Sequence, residues 1–118
     1  MPQLEGLKTR PEFLRVAGKG RKWAMPGLVL QAYRDPSGRD GEQRPLRVGF
    51  TASRKVGSAV PRNRARRRLR AVAAEVLPRS GRPGTDYVLI ARAGTLGRPY
   101  AKLLADLETA VEKVERRR

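Results

Sequence analysis

The densest run of chemically active side chains lies near the middle of the chain, where six of the ten residues from 61 to 70 are arginine. A guanidinium group holds its N–H donors in a planar fork that matches two phosphate oxygens at once. Arginines at this density are therefore typical of a surface that binds a phosphate backbone. The cationic side chains are Arg62, Arg64, Arg66, Arg67, Arg68 and Arg70, with Arg54 and Lys55 just before them.

The same stretch has the pattern of an amphipathic helix, which we expect over residues 61–77. Pro61 suits the first helical position because it has no N–H to leave unsatisfied, and Pro78 predicts the end of the helix. Apolar residues recur at helical spacing and form one stripe. The stripe comprises Ala65, Leu69, Val72, Ala73, Val76 and Leu77. The spacing points Arg64, Arg67 and Arg68 away from the stripe, places Arg70 near its edge, and brings Arg62 and Arg66 closer to it.

The basic half of this helix has no internal counter-charge in the sequence around it. No acidic residue occurs from position 51 to position 74. The N-terminal turn of a helix already carries a partial positive charge, so the arginines there repel one another and the helix end. We therefore expect a polyanionic partner. The alternative is a charged face that only meets solvent.

Groups that could carry out catalysis are scarce. The chain has no histidine and no cysteine, which removes the commonest general base, the commonest metal ligand and any thiolate. The carboxylates fall at spacings that suggest surface positions paired with Lys102 or Lys113. They are Glu75, Asp86, Asp106, Glu108, Glu112 and Glu115. We predict neither a catalytic group nor a metal site in the protein itself.

Length and charge restrict the class of protein. A chain of 118 residues fits one domain, residues 1–118, with a modest aliphatic core at 39% hydrophobic and 5% aromatic residues. The net charge of +16 favours a nucleic acid as partner ahead of a membrane surface. No apolar run reaches the length of a membrane span, and the N-terminus lacks the apolar segment of a signal peptide. We expect a cytoplasmic protein.

The remaining elements predict an α+β fold. Thr9 and Glu12 have the spacing of a capping box, so a first helix begins there and runs toward Gly18 or Gly20. Strands are expected at 21–25, 28–33, 46–53 and 87–91, with a Pro26–Gly27 turn after the first. The alternation in 46–53 places Val48, Phe50 and Ala52 on the core face. Residues 35–45 are expected to form an exposed loop, residues 99–115 a last helix, and residues 116–118 a frayed tail.

Two consecutive stretches resemble the bacterial ribonuclease P protein subunit. They are RVGFTASRKVGSAV at 47–60 and RNRARRRLR at 62–70. That family has the pattern R-x-G-hydrophobic-x-x-S-[KR]-K-[VI]-G-x-A-V followed by R-N-R-x-[KR]-R-x-[LI]-R. The resemblance extends upstream to Glu12, Phe13, Val16 and Gly20, and downstream to residues 86–92. Independently of it, Gly57 is expected to allow a tight backbone turn.

The resemblance implies a fold and an activity. The fold is a two-layer α-β sandwich, with a small sheet of about four strands, three helices and a left-handed βαβ crossover around the arginine helix. The activity is that of a ribonucleoprotein endonuclease that removes the 5′ leader from precursor tRNA. The catalytic groups, and most of the magnesium they need, would belong to the RNA subunit. The implied partners are ribonuclease P RNA and precursor tRNA.

The resemblance also assigns two sets of site residues. The contact with the RNA subunit falls on Arg54, Lys55, Arg62, Asn63, Arg64, Arg66, Arg67 and Arg70. A cleft for the leader, between the first helix and the sheet, falls on Phe13, Ala17, Val29, Gln31, Thr51 and Ser53. Ala17 and Gln31 stand where the family often has aromatic residues, which implies weaker base stacking here. Without the resemblance, Phe13 would be read as an ordinary core residue.

The sequence is also compatible with other classes of protein. A ribosomal protein, or another structural RNA-binding protein, would also be small and basic. A DNA-binding helix would favour a helix-turn-helix neighbour or a dimer interface, and neither pattern is visible. A membrane-surface helix would need bulky apolar residues where this chain has alanines.

Overall fold

The structure, a computed structural model, describes residues 4–34 and 44–116. Most of the predicted 35–45 loop and the last two residues of the expected tail lie outside the described residues. The helices are α1 (Arg10–Lys19), α2 (Ala59–Ser80) and α3 (Tyr100–Arg116). The strands are β1 (Glu5–Gly6), β2 (Arg21–Met25), β3 (Leu28–Arg34), β4 (Arg47–Ala52) and β5 (Thr85–Ala91).

The strands form one sheet in the order β1-β4-β5-β3-β2. β4 is parallel to β5 and joined to it through α2, whereas β3 is antiparallel to both β5 and β2. β5 therefore lies between two hydrogen-bonded neighbours, as its continuous apolar run predicted. The α+β class is confirmed, with five strands instead of about four. The additional strand, β1, has two residues and offers no alternation that a sequence pattern could detect.

Most of the core lies between one face of the sheet and the helices α2 and α3. The predicted stripe of α2 is buried along its whole length, including Leu69 and Val72. It meets Leu30 of β3, Leu89 of β5 and Leu103 of α3 in one cluster. The helical periodicity of α2 therefore assigned the inward face correctly.

α1 covers part of the opposite face of the sheet. Val16 packs there with Val88 of β5, and the Phe13 ring lies against Gly49 of β4. A Cβ atom at position 49 would lie 2.4 Å from Cε1 of Phe13. This close approach requires glycine at position 49.

The ends of α2 differ from the prediction. The helix begins at Ala59, two residues before Pro61, and continues past Pro78 to Ser80. Pro61 still lies in the first turn, where a missing N–H costs no hydrogen bond. Pro78 falls near the end of the helix, where the N–H of Gly81 bonds the carbonyl of Leu77 at 2.8 Å and closes the last turn. Burial of Leu77 holds that turn on the sheet, so the proline does not end the helix.

Two of the carboxylates are buried, so the expected surface position is wrong for them. Asp86 is 2% exposed and Asp106 is 3% exposed. Asp106 accepts hydrogen bonds from the backbone N–H of Gly27 at 3.0 Å and from both Nε and Nη2 of Arg98. It thus fastens α3 to the turn between β2 and β3. Two of the other carboxylates pair with arginines, Glu108 with Arg79 and Glu115 with Arg82.

Candidate nucleic-acid interface

Apart from Arg68, the first half of α2 presents its arginines as the sequence predicted. Asn63, Arg64 and Arg67 are exposed, whereas Arg62 and Arg66 are half-buried beside the apolar stripe. Arg66 donates a hydrogen bond through Nη2 to Oδ1 of Asn63, one turn earlier, which orients both side chains. The Nε of Arg62 is buried and has no hydrogen-bond partner among the described residues. Asn63, Arg64 and Arg67 form an outward array of N–H donors at the N-terminal end of the helix.

The salt bridges within residues 4–34 and 44–116 lie outside the cationic stretch from position 54 to position 70. These salt bridges involve arginines from other parts of the chain, namely Arg44, Arg47, Arg79, Arg82 and Arg98. Among the described residues, no acidic side chain forms a salt bridge with a basic residue between positions 54 and 70. The field of this face is therefore left for an external anion.

Arg68 does not point into solvent, contrary to the prediction. Its guanidinium donates to three backbone carbonyls of the loop before α3. The acceptors are the carbonyls of Thr95, Leu96 at 2.9 Å and Arg98 at 2.7 Å. Nothing local in the sequence distinguishes Arg68 from its neighbours, because the acceptors lie about thirty positions later in the chain. Arg68 is a structural link, and its neighbours Arg67 and Arg64 remain available to a partner.

A short turn connects β4 to α2. Ser53 caps a single 3-10 turn at Arg54–Val56, and its Oγ accepts from the backbone N–H of Lys55 at 3.1 Å. Gly57 follows with φ +130°, a backbone conformation that side chains with a Cβ rarely adopt. The tight turn predicted for Gly57 is confirmed. It leaves Arg54 and Lys55 exposed beside the start of the helix.

The sheet brings the predicted cleft residues onto one face. In β3, Leu28, Leu30 and Ala32 are buried against α2 and α3, so Val29 and Gln31 face the α1 side. Thr51 lies on that side too, two residues after Gly49, which contacts Phe13. The register aligns Val29 with Ile90, and Ile90 with Thr51, in one row across three strands.

The remaining two predicted cleft residues lie at the margins of this face. Ala17 is exposed on α1, one helical turn after Phe13. Ser53 follows the end of β4, and its N–H bonds the carbonyl of Ala91 at 3.2 Å. All six positions therefore border α1 or the face that it partly covers.

Ile90 and Arg92 were missed as site residues. With Val29, Ser53 and Lys55 they line an open groove of about 380 Å³ at the end of the sheet nearest the start of α2. Arg92 is held there by a hydrogen bond from Nη1 to the carbonyl of Met25 at 2.8 Å. The uniformly apolar run of β5 concealed Ile90, since it predicts burial for every member. The groove connects the predicted leader cleft with Lys55 of the predicted RNA-subunit contact.

An ion-pair network fixes α1 over this face. Glu12 completes the predicted capping box, accepting from the backbone N–H groups of Lys8 and Thr9 at 2.9 Å each. It also pairs with Arg47 of β4, which in turn makes two hydrogen bonds to Asp86 of β5. Arg44 gives Asp86 a third bond at 2.9 Å. The position of α1, and with it of Phe13, is thereby set by charges at one end of the cleft.

These contacts shift the pKa of each member of the network. The backbone hydrogen bonds from Lys8 and Thr9, assisted by Arg47, lower the pKa of Glu12 to about 2. Burial raises the pKa of Asp86, but hydrogen bonds from Arg47 and Arg44 outweigh burial and leave that pKa below its usual value. The hydrogen bond to Asp86 raises the pKa of Arg47. All three groups are charged in the folded protein at neutral pH.

We expect stability to fall in acid because of this network. A carboxylate whose pKa is depressed by folding stabilises the protein above its unfolded pKa and loses that contribution as the pH falls toward the folded pKa. For Glu12 the window runs from 4.5 down to about 2. Glu12→Gln, which keeps a capping side chain but no charge, should flatten the dependence of unfolding free energy on pH in this window. Denaturant titrations at several pH values measure it.

Glu108→Gln is the matched control, because Glu108 forms an exposed ion pair with Arg79 at the far side of the molecule. In this control, unfolding free energy should depend on pH as it does in the unmodified protein. An identical acid slope in Glu12→Gln and the unmodified protein would show that the network does not control acid stability.

Among the described residues, no three carboxylate side chains lie close enough together to hold a metal ion. No helix in the described parts of the chain is both long and apolar enough to cross a membrane.

Comparison with known proteins agrees with this geometry. The family model for ribonuclease P matches residues 1–115. The ribonuclease P protein component of Paramagnetospirillum magneticum is 55% identical over 112 residues, covering 95% of this chain and 84% of that protein. The corresponding component of Gluconacetobacter diazotrophicus is 51% identical over 107 residues, covering 91% and 88%.

Solved structures show the same fold. The ribonuclease P protein of Staphylococcus aureus superposes with a TM-score of 0.72 at 22% identity, covering 94% of this chain and 95% of that one. That of Thermotoga maritima gives a TM-score of 0.72 at 21% identity, with 97% and 98% covered. The chain belongs to the bacterial ribonuclease P protein family. It is thus an RNA-binding component of a tRNA-processing ribonucleoprotein, and the ribosomal alternative is not favoured.

Proposed function

We propose that the protein assists removal of the 5′ leader from precursor tRNA by binding two RNAs on two surfaces. The basic face of α2 binds ribonuclease P RNA, and the face of the sheet beside α1 binds the leader. The observation that carries this proposal is the acid-free array of exposed cations between positions 54 and 70. Phosphate groups stabilise such an array, because their negative charge offsets the repulsion among cations that have no acidic partner in the protein.

The RNA-subunit surface includes the arginines that have free donors in the structure. Arg64 and Arg67 project from α2, and Arg54 and Lys55 extend the same basic face from the turn before it. The N-terminal amides of α2 add donors in the same direction, and the Ser58 side chain does not cap them. Phosphate groups of a folded RNA match this combination of helix terminus and guanidinium groups.

The leader surface combines an apolar row with a small number of polar groups. Val29 and Ile90 offer apolar contact, Thr51 and Gln31 offer hydrogen bonds, and the Phe13 ring offers a stacking surface. Unpaired bases bind proteins through such stacking and edge contacts. Because Ala17 and Gln31 provide no ring, stacking in this cleft relies chiefly on Phe13.

Catalysis itself is assigned to the RNA subunit in this proposal. Six carboxylates of the described residues bond arginines, a tyrosine or backbone amides, and no three carboxylates come together in this part of the chain. The six are Glu12, Glu75, Asp86, Asp106, Glu108 and Glu115. Because the described residues bring no three carboxylates together, we assign the magnesium mainly to the RNA. We further propose a cytoplasmic location, which the high positive charge and an RNA substrate favour.

Reconstitution tests the proposal directly. Purified protein, mixed with a bacterial ribonuclease P RNA, should restore cleavage of precursor tRNA at a magnesium concentration where the RNA alone is slow. A basic RNA-binding protein of similar charge is the control. Equal stimulation by that control, or no stimulation by this protein, would refute the proposed role.

A cleft variant tests the leader surface separately. Phe13→Ala combined with Thr51→Val should weaken binding of precursor tRNA by the assembled enzyme, roughly 5- to 10-fold, because a stacking surface and a hydroxyl are lost. Binding of mature tRNA, which has no leader, should not change. Dissociation constants for the two ligands measure the difference.

Leu14→Ala is the matched control for the cleft, since Leu14 lies on the same helix but is 56% exposed. This control should bind both ligands like the unmodified protein. An equal loss for precursor and mature tRNA in the double variant would contradict a leader site here.

A further inference from the structure

A second groove lies at the outer edge of β4, away from the one lined by Lys55 and Arg92. The parallel pairing of β1 with β4 stops at Val48, so the described residues place no strand beside the rest of that edge. The groove there has a volume of about 380 Å³. Its lining comes from both sides of the sheet: Leu7 and Phe13 on the α1 side, Phe50 and Arg70 on the α2 side. It therefore joins the two RNA surfaces proposed above.

The side chains that line this groove suit a flat ligand that carries negative charge. The guanidinium carbon of Arg70 lies 5.6 Å from the centroid of the Phe50 ring, within the range of a cation–π contact. Phe50 is half-buried against the main core, so its ring is a fixed support for the guanidinium plane. Arg70 is exposed and makes no ion pair with the described residues. Its planar face and its positive charge are both available.

We infer that this groove binds one unpaired nucleotide of an RNA strand that passes between the two surfaces. The base stacks on the guanidinium–Phe50 pair and against the Phe13 side of the groove. A neighbouring phosphate lies against Arg66, one helical turn before Arg70. The inference rests on the proposed function and adds a position for a nucleotide outside the cleft under α1.

A nucleotide fits this groove better than a peptide strand does. An open strand edge can accept a peptide by backbone pairing, but that mode requires no guanidinium plane and no aromatic support. Bases stack on arginine planes and on phenylalanine rings alike. The adjoining helix face is basic and carries no acid, which complements the phosphates on either side of a base.

Crosslinking locates the contact. The full-length protein is mixed with a short uridine oligomer that carries 5-iodouridine at one position, irradiated and digested, and the linked peptides are identified by mass spectrometry. Crosslinks to Phe50, together with those expected at Phe13, support the site. Crosslinks confined to Phe13 and other residues on the α1 side would overturn it.

Two substitutions give the effect on affinity. Phe50→Leu keeps an apolar side chain against the core but removes the ring, and Arg70→Lys keeps the charge but removes the plane. Each should weaken binding of the uridine oligomer about 5- to 10-fold without changing its salt dependence. Arg79→Lys, at an exposed position of the same helix outside the proposed RNA surfaces, is the matched control and should leave the affinity unchanged. Denaturation midpoints confirm that each variant is folded.

An abasic oligomer of the same length separates base from phosphate. It should bind the unmodified protein more weakly than the uridine oligomer, and it should not distinguish Phe50→Leu from the unmodified protein. Unchanged affinity of both variants for the uridine oligomer would overturn the inference. So would crosslinking of an acidic peptide, but not the oligomer, to Phe50. If the unmodified protein still stimulates precursor cleavage, either failure refutes this groove alone and leaves the proposed function intact.

Discussion

Replacing Arg64 and Arg67 together with alanine is expected to weaken binding of ribonuclease P RNA by roughly 100-fold, since each hydrogen-bonded contact to a charged group contributes about 1.5 kcal/mol or more. Both side chains are exposed on α2 and make no ion pair with the described residues. Their loss therefore removes phosphate contacts without leaving an unpaired carboxylate in the protein. Filter binding or fluorescence anisotropy with the RNA subunit measures the change.

Salt dependence identifies the cause of that loss. If the basic face neutralises about six phosphates, log affinity should fall with log salt at a slope of about −4 for single-stranded and about −5 for duplex contacts. The double variant should have a slope shallower by about 1.4 to 1.8, because two phosphate contacts are missing. A slope near zero for the unmodified protein would contradict phosphate binding.

Arg79→Ala is the matched control for the double variant. Arg79 is an exposed arginine on the same helix, but it lies near the C-terminal end and pairs with Glu108. Its loss should leave RNA affinity within a factor of about two, as expected for a residue away from the interface. If Arg79→Ala weakened binding as much as the double variant does, the interface would depend on net charge and not on the first half of α2.

The second large effect concerns stability. Leu69→Ala is expected to lower the unfolding free energy by about 2 to 5 kcal/mol, because the side chain is fully buried and its removal leaves a cavity. Arg67→Ala, two positions earlier on the exposed face, should change it by less than about 0.5 kcal/mol. Urea denaturation of the two proteins without RNA compares them.

Equal denaturation midpoints for the two variants would mean that the faces of α2 are assigned wrongly. RNA binding provides the reciprocal comparison. Folded Leu69→Ala should retain RNA affinity that Arg64→Ala with Arg67→Ala loses. The two surfaces of one helix would then be separated by two independent measurements.

Local periodicity predicted the parts of the fold that depend on one element at a time. The stripe through Leu69 and Val76, the capping box of Thr9 and Glu12, and the alternation in β4 all follow from the spacing of neighbouring residues. Each of these features was assigned correctly, since a helix or strand with a single apolar face has only one way to bury it.

Long-range partners could not be predicted in the same way. The sequence pattern predicts Asp106 as a surface residue of an amphipathic helix. In the folded protein it is buried because it bonds the backbone of Gly27 and the side chain of Arg98. The sequence pattern predicts Arg68 as another exposed cation of α2. In the folded protein it bonds carbonyls of the loop before α3. Spacing along one element carries no information about acceptors on another. Ile90 was missed for a different reason, since the apolar run of β5 predicts burial for every residue in it.

The position of β5 in the sheet has a consequence for how the chain is made. β5 is the last strand to be synthesised, yet it occupies the central place between β3 and β4, which do not pair with each other. Until residues 85–91 leave the ribosome, the hairpin of β2 and β3 and the strand β4 have no common partner, and the apolar stripe of α2 has no complete sheet to cover. The nascent chain therefore completes its core only when most of it has emerged, in a step limited by closure of long loops.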